Sequence, residues 1–288
     1  YTVDNHWEEE VLSGITQKLN HNNVIKVEFL DSRSINYDLY DESLLNLLNI
    51  KYESNIDCIM AIDDEAFQFA RKNLFNKDSF MYKKPIIFCG VNEYFELTSE
   101  ECDYINGILG YQDNTEMINL ILKENRKVED IHLLIDNSIY CDMIKEDIEG
   151  LQGYTVKDFN LITTRNTYLK DLIEELSIDD EKKNSAIYLC GTYKDKNTDD
   201  DITADVLIKA LQEKTDAPIY TQLVDYIEAG AVGGIVCEGY RVGKAAANIV
   251  EGLEDVHYIY NSNWAFEPFS VVEFNYEAIE RYKINPLR

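Results

Sequence analysis

The stretch KKPIIFCGVNEYFE, residues 83–96, decides how the rest of the chain is read. Ile86, Ile87 and Phe88 form an apolar run without polar alternation, the pattern of a strand covered on both faces. The run stops at Cys89-Gly90, and Val91 and the polar Asn92 follow. A strand covered on both faces belongs to a parallel sheet, because parallel connections are helices that pack on the sheet. In an open sheet of this kind, ligands lie beyond the carboxyl ends of the strands, where helix N-termini present free N–H groups. Gly90 lets the chain turn as it leaves the strand, and Asn92 is placed to cap the next helix and face the crevice.

The same alternation of strand and helix extends in both directions. Asp4 can cap a helix whose apolar positions Trp7, Val11, Leu12, Ile15 and Leu19 recur at helical spacing. VIKVEFLD (24–31) alternates as a strand, and YDESLLNLLNIKY (40–52) has helical period. IDCIMAID (56–63) reads as a strand. DEAFQFARKNLF (64–75) reads as a helix with acids in its first turn and bases nearer its end, matching the macrodipole. Beyond the opening stretch come a short strand GILGY (107–111), helix 114–124, strand IHLLID (131–136) and helix 139–149. Strand YTVKDFNL (154–161), helix 167–176, strand SAIYLCG (185–191), helix 201–214 and strand APIY (217–220) continue the pattern. Strand GGIVCE (233–238) leads into the Ala-rich helix 240–252.

Strands separated by helices of this length mean βαβ units and parallel sheets. The restart of the pattern near residue 111 and the long return near 230 argue for an α/β fold of two doubly wound parallel-sheet lobes joined by hinge crossovers. An eight-stranded barrel is the competing architecture. The expected division is 1–111 plus 234–262 for the first lobe and 112–233 plus 263–288 for the second. Crossings are expected near 110–113, 229–234 and 261–263, where Gly230, Gly233 and Gly234 suit a chain changing direction.

Composition excludes several functions. Lys and Arg number 27 against 54 Asp and Glu, a formal charge of -27, which repels nucleic acid and anionic membrane surfaces. The longest apolar piece, Ala229 to Cys237, is far short of the roughly 20 residues of a spanning helix. No basic-then-apolar signal-peptide pattern is visible, and Tyr1 reads as a cut within a longer protein. The six cysteines lack paired spacing, and Cys58, Cys89, Cys190 and Cys237, in or beside strand-like runs, are read as buried free thiols. The four histidines have no metal-ligand spacing. In EGYRVGKAA (238–246), Gly243-Lys244 resembles a phosphate loop, but Glu238 replaces its first glycine and Ala245 its Ser or Thr. No nucleophile elbow is present, so no catalytic group and no cofactor are expected.

Attention therefore falls on the polar residues that follow each apolar run. They are Asp63 and Asp64, Asn92, Asn137 and Ser138, Thr192 and Tyr193, and Tyr220 and Thr221. The same residue types are what helix N-caps require, so each has a purely structural alternative.

Several strings resemble a known family: IDCIMAIDDEAFQFA, KPIIFCGVNEYF, GILGYQDNTEMINLIL and APIYTQLVDYIEAGAVGGIVCEGYRVGKAAANIVEGL. They are similar to the ABC substrate-binding-like sensor domains of bacterial histidine kinases and diguanylate cyclases, extracytoplasmic domains with the type I periplasmic-binding-protein fold. A related branch is made up of ABC-transporter solute-binding proteins, some of which take aromatic amino acids. The resemblance implies two lobes that close on a small ligand, with Trp7, Asp63, Asp64, Asn92, Asn137, Tyr193 and Tyr220 lining the cleft. It also implies a membrane-anchored parent protein, an extracytoplasmic location and a homodimer as one possible state. Family members carry an apolar strand just before the position of Tyr1, which this sequence lacks.

Three functions compete: a ligand-sensing module, a transporter's solute-binding protein and, with least support, an enzyme. The expected ligand is a small zwitterion or similar polar metabolite, an aromatic amino acid among the candidates. Asp63 and Asp64 would take its ammonium, and Asn137 and Ser138 its carboxylate on free N–H groups. Trp7, Tyr193 and Tyr220 would supply aromatic walls.

Overall fold

The computed structural model describes residues 6–19, 23–30, 37–52, 56–91, 95–110, 114–125, 127–151, 153–252 and 269–284. Asp4, Asn92 and the expected crossing at 261–263 lie outside the described residues. The chain divides into two compact units, Tyr1–Tyr111 with Glu238–Phe269, and Gln112–Cys237 with Ser270–Arg288.

In the first unit the chain forms α1 (His6–Leu19), α2 (Tyr37–Tyr52), β1 (Ile59–Ile62), α3 (Asp64–Asn73), β2 (Ile86–Val91) and β3 (Ile105–Leu109). The three strands make a parallel sheet in the order β1-β2-β3. All six residues of the central strand β2 are buried, which is why its sequence shows no alternation. The register slips between Cys89 and Val91, where Gly90 sits at φ 75° and bulges the strand end.

This unit also holds α9 (Gly239–Gly252), which packs against α1, β2 and β3. Glycines set the α1–α9 distance. A Cβ on Gly243 would lie 2.8 Å from the Val11 carbonyl carbon, and one on Gly14 would lie 2.9 Å from the Lys244 amide nitrogen. The Gly243-Lys244 pair therefore serves helix packing.

Residues 24–30, expected as a strand, pair with no ladder among the described residues. Leu30 is buried, but Val24, Val27 and Phe29 are exposed. The segment is tied to α2 instead: Glu28 accepts from Lys51 and Tyr52, and the Lys26 ammonium lies 5.0 Å from the Tyr52 ring centre. Alternation makes a strand only where a neighbouring ladder can take its N–H and C=O groups.

The second unit contains α4 (Asn114–Glu124), β4 (Asp130–Ile135), α5 (Ile139–Glu149), β5 (Asn160–Arg165), α6 (Leu169–Glu175) and β6 (Ser185–Leu189). It continues with α7 (Ala204–Lys214), β7 (Ile219–Thr221), α8 (Val224–Glu228), β8 (Gly233–Cys237), β9 (Ser270–Phe274) and α10 (Tyr276–Tyr282). The sheet order is β5-β4-β6-β7-β8-β9, with only β9 antiparallel to its neighbour. Helices α4, α5 and α10 bury one apolar face and α6, α7 and α8 the other. Two separate open sheets make this a doubly wound α/β fold and exclude the eight-stranded barrel.

Three boundaries differ from the sequence reading. The strand expected at 154–161 is β5 at Asn160–Arg165, because Asp130–Ile135 pairs with 160–165 and leaves Tyr154 and Val156 exposed. The short strand GILGY begins earlier, at Ile105. The units divide at Cys237/Glu238 and Phe269/Ser270, since β8 is paired along its length with β9 inside the second sheet. None of the six cysteines is in a disulfide; Cys89, Cys141 and Cys190 are buried, whereas Cys58 and Cys237, expected to be buried, are only partly so.

Candidate ligand-binding site

At the carboxyl ends of β1 and β2 the first unit brings together Trp7, Asp63, Asp64, Glu65 and Gly90. The Asp63 backbone N–H donates to the Cys89 carbonyl at 2.9 Å, so the ladder runs to the last residue before α3. Asp63 then adopts φ 72°, ψ 172° while capping the helix, its Oδ1 accepting from the Asp64 N–H at 2.7 Å. That backbone region belongs almost solely to glycine and costs about 1–3 kcal/mol for other residues. A plain cap residue sits in ordinary extended backbone. Asp63 combines the cap with strain, which marks it as more than a cap.

Asp63 is only 8% exposed. Burial pushes its carboxyl up to about 8, the Asp64 N–H pulls the other way, and the carboxylates of Asp64 and Glu65 push it further up. Glu65 Oε2 is shielded from water and accepts no hydrogen bond. Three acids thus crowd the first turn of α3. The half-buried indole of Trp7 lies against Gly90, and a Cβ there would be driven into that ring. Asp64 also lines a cavity of about 330 Å³ with Phe67, Gln68, Arg71, Val91, Phe95 and Glu96.

The floor of that cavity is fixed by Arg71. Its guanidinium donates to both Glu101 carboxylate oxygens, Nε at 2.6 Å and Nη2 at 3.0 Å, and Nη2 also reaches the Glu96 carbonyl at 2.7 Å. The Arg71 guanidinium, with help from the Thr98 N–H, holds the Glu101 carboxyl down at about 2 despite its burial. The Phe95 ring lies 4.6 Å from that of Phe67, centre to centre, in a tilted arrangement.

In the second unit the loops after β4, β5 and β6 converge where the strand order reverses around β4, the switch point of a doubly wound sheet. Asp136 organises them. Its carboxylate accepts from Ser138 N at 2.7 Å and from Thr192 N and Oγ1 at 2.9 and 3.1 Å. Burial opposes ionisation, but these donors outweigh it and hold the carboxyl below its ordinary value. Asn137, exposed, donates to Thr167 Oγ1 at 2.7 Å, and Ser138, exposed, caps α5 by accepting from Cys141 N at 3.2 Å.

Two expected wall residues lie deeper. Tyr193 is 1% exposed, its hydroxyl close to Gly191 and without a partner. Tyr220 is inside β7 rather than beyond it, fully buried in the core against α4 and α5. Sequence reasoning passed over Glu65, Asp136 and Gln222. Gln222 follows β7 and is buried, with neither side-chain polar atom hydrogen-bonded.

A larger cavity, about 790 Å³, lies at the amino-terminal ends of the second unit's strands, lined among others by Lys123, Glu124, Ser185, Pro218 and Tyr282. Helices α4 and α10 end there with Lys123 and Arg281 in their last turns, which complement the helix dipoles. Its position is opposite the end where a parallel sheet binds ligands.

No protein-family model and no curated protein sequence matches the chain. Solved structures do. Over 98% of its length the chain resembles the ABC domain from Streptococcus pneumonia in complex with L-Trp, with 14% identity, TM-score 0.61 and 93% of that chain covered. A similar share, 98% of this chain and 92% of the other, matches CD0873 from Clostridium difficile, a substrate-binding protein with adhesive properties, at 12% identity and TM-score 0.65. The fold is that of the type I periplasmic-binding proteins. The branched-chain amino-acid substrate-binding protein LivJ of Streptococcus pneumoniae, in complex with isoleucine, shares it at 15% identity and TM-score 0.53, over 85% of this chain and 77% of its own. In each open sheet taken by itself, Asp63 and Asp136 to Ser138 stand at the carboxyl ends of their strands.

Proposed function

We propose that the chain is a ligand-binding domain for a small zwitterion of the amino-acid class, acting as the extracytoplasmic sensing part of a membrane-anchored signal-transduction receptor. The observation that carries the ligand reading is Asp63: a strained, buried carboxyl at a strand end, beside two more acids and an indole. A ligand ammonium arriving there replaces the proton that burial holds on Asp63, and the resulting ion pair is strong because it is shielded from water. Trp7 offers its ring to an aromatic side chain, an interaction of about 0.5–1.5 kcal/mol beyond area burial. The tryptophan and isoleucine held by two structural neighbours support an amino-acid ligand.

Proton exchange makes the proposal testable. Calorimetry with an amino-acid panel, repeated in buffers of different ionisation enthalpy, should show release of up to about one proton per ligand below pH 8. Affinity should rise from pH 6 to pH 8, and Asp63→Asn should abolish both the release and most of the binding. A panel in which nothing binds, or equal binding by Asp63→Asn, overturns the assignment.

A second reading, a solute-binding protein of an ABC transporter, is favoured by the neighbours, which include proteins described as transporter binding proteins. The two readings share the site and differ in what the gene encodes beside it. A membrane helix flanking the domain supports the sensor, and a lipoprotein cysteine upstream supports the transporter component.

A further inference from the structure

The cavity of about 790 Å³ at the amino-terminal ends of the second unit's strands is formed wholly within that unit. Five bases line it: Lys123, Lys127, Lys183, Arg281 and Lys283. Acids outnumber bases two to one in the chain, yet none of these five is in an ion pair among the described residues. They come from three separate segments: the end of α4 and the turn after it, the loop before β6, and the end of α10. The cluster is therefore not the solvated face of one helix. The carbonyl ends of α4 and α10 offset Lys123 and Arg281, which stand in their last turns, and leave Lys127, Lys183 and Lys283 in surplus.

The acids in the same wall are largely committed. Asp180 accepts from Thr215 Oγ1 at 2.5 Å and from the Asp216 N–H at 3.1 Å. Asp179 accepts from the Glu181 N–H at 3.2 Å and pairs with Lys182 at 3.3 Å. Burial pushes the Glu124 carboxyl up, towards its neutral form, which leaves Asp216 as the main opposing charge. The Tyr282 hydroxyl, shielded from water, has no hydrogen-bond partner, and burial keeps its proton in place.

We propose that this cavity binds a small anion carrying two or more negative charges, the chemistry shared by phosphate esters and polycarboxylates. Ammonium and guanidinium groups both form strong, charge-assisted hydrogen bonds to phosphate and carboxylate oxygens. One base would suffice for a single charge. Three surplus bases on separate segments are satisfied together only by an anion whose charge is spread over several oxygens. The volume lies within the roughly 300–1,000 Å³ of small-molecule sites, so the cavity suits a metabolite better than a bare halide. The proposal does not depend on the amino-acid reading, whose site is at the opposite ends of the strands.

The test uses inorganic pyrophosphate and citrate as probes, by calorimetry and thermal unfolding at fixed ionic strength. Wild type is compared with the double variant Lys183→Gln/Lys283→Gln and with Lys170→Gln/Lys209→Gln. Lys170 and Lys209 are exposed bases of α6 and α7 outside the cavity. Both variants lose two positive charges, so the long-range repulsion of an anion by the acidic chain changes equally in the two. Wild type should bind at least one probe at a single saturable site. The Lys183/Lys283 variant should lose about tenfold or more in affinity, and the Lys170/Lys209 variant should match wild type. Binding of pyrophosphate alone assigns the site to phosphate, and binding of citrate alone assigns it to carboxylates; either supports the proposal. All the substituted lysines are exposed, so ligand-free melting temperatures should stay close to that of wild type and show that both variants fold. If neither probe binds wild type, or if the two variants weaken binding equally, the cavity is no anion site and the proposal is overturned.

Discussion

Asp63 joins two costs at one residue, backbone strain and a buried carboxyl, and each has its own signature. Asp63→Gly relieves the strain while Asp63→Asn keeps it, so the glycine variant should unfold at a free energy about 1–3 kcal/mol above the asparagine variant. The carboxyl's effect is a pH effect. Its pKa in the fold is raised to about 8, so the fold favours the protonated form. That contribution is complete below the ordinary carboxylate value and is lost as pH rises from there through about 8. Wild type should therefore lose stability between pH 5 and pH 8 relative to Asp63→Asn, and parallel pH profiles of the two proteins would refute the shift. Glu101 runs the other way. Held down at about 2 by Arg71, it stabilises the fold above the ordinary value, and this is lost as pH falls from about 4.5 towards 2. At pH 7, Glu101→Gln should cost about 1.5–3 kcal/mol, the value of hydrogen bonds to a charged group. The cost should shrink at pH 3, and equal losses at both pH values would mean that packing alone is responsible.

Among the elements, the crossing of α1 and α9 depends on an absence of side chains. A glycine on an exposed helix face gains about 1 kcal/mol when changed to alanine. At Gly243 the added Cβ meets the Val11 backbone, which cannot turn aside as a side chain can. Gly243→Ala should instead destabilise the protein by about 1–3 kcal/mol, the range of overpacking, and a raised melting temperature would show that the helices do not touch there. Such contacts are invisible in the sequence, where Gly243-Lys244 looks like a fragment of a phosphate loop. What could be read were elements buried on both faces: every position of β2 and β6 is buried, so their apolar runs announce themselves. The segments 24–30 and 154–161 were misread for the converse reason. Alternation reports an apolar face, but not whether a ladder neighbour exists; the described sheets supply none for 24–30, and for the other segment only from Asn160 onward. The rim was legible as residue types after strands: Ser138 and Thr192 do converge, but on Asp136, which reads in the sequence as the last residue of a strand. Strain at Asp63 and the missing partners of Glu65 and Gln222 depend on backbone angles and burial, which residue type does not reveal.

For the whole molecule the dominant quantity is charge. With 54 acids against 27 bases, every folded conformation gathers like charges that the unfolded chain spreads apart, so folding works against a repulsion distributed over the surface. Local pairs offset part of it: Arg71 with Glu101, Lys196 with Asp171, Arg165 with Asp142. Exposed pairs of the last two kinds contribute about 0–1 kcal/mol each, too little to reverse the sign. Salt distinguishes the two contributions by range. The Debye length falls from about 30 Å at 0.01 M to about 3 Å at 1 M, which removes long-range repulsion first and leaves partly buried contacts such as Arg71–Glu101 largely intact. Raising sodium chloride from 0.01 to 0.5 M should therefore increase the melting temperature, each kcal/mol gained appearing as roughly 2–4 °C for a protein of this size class. The rise should be largest at pH 8, where Asp63 adds its charge, and smaller at pH 5, where more carboxylates are neutral. A melting temperature that falls as salt is added would mean that surface ion pairs outweigh the net repulsion.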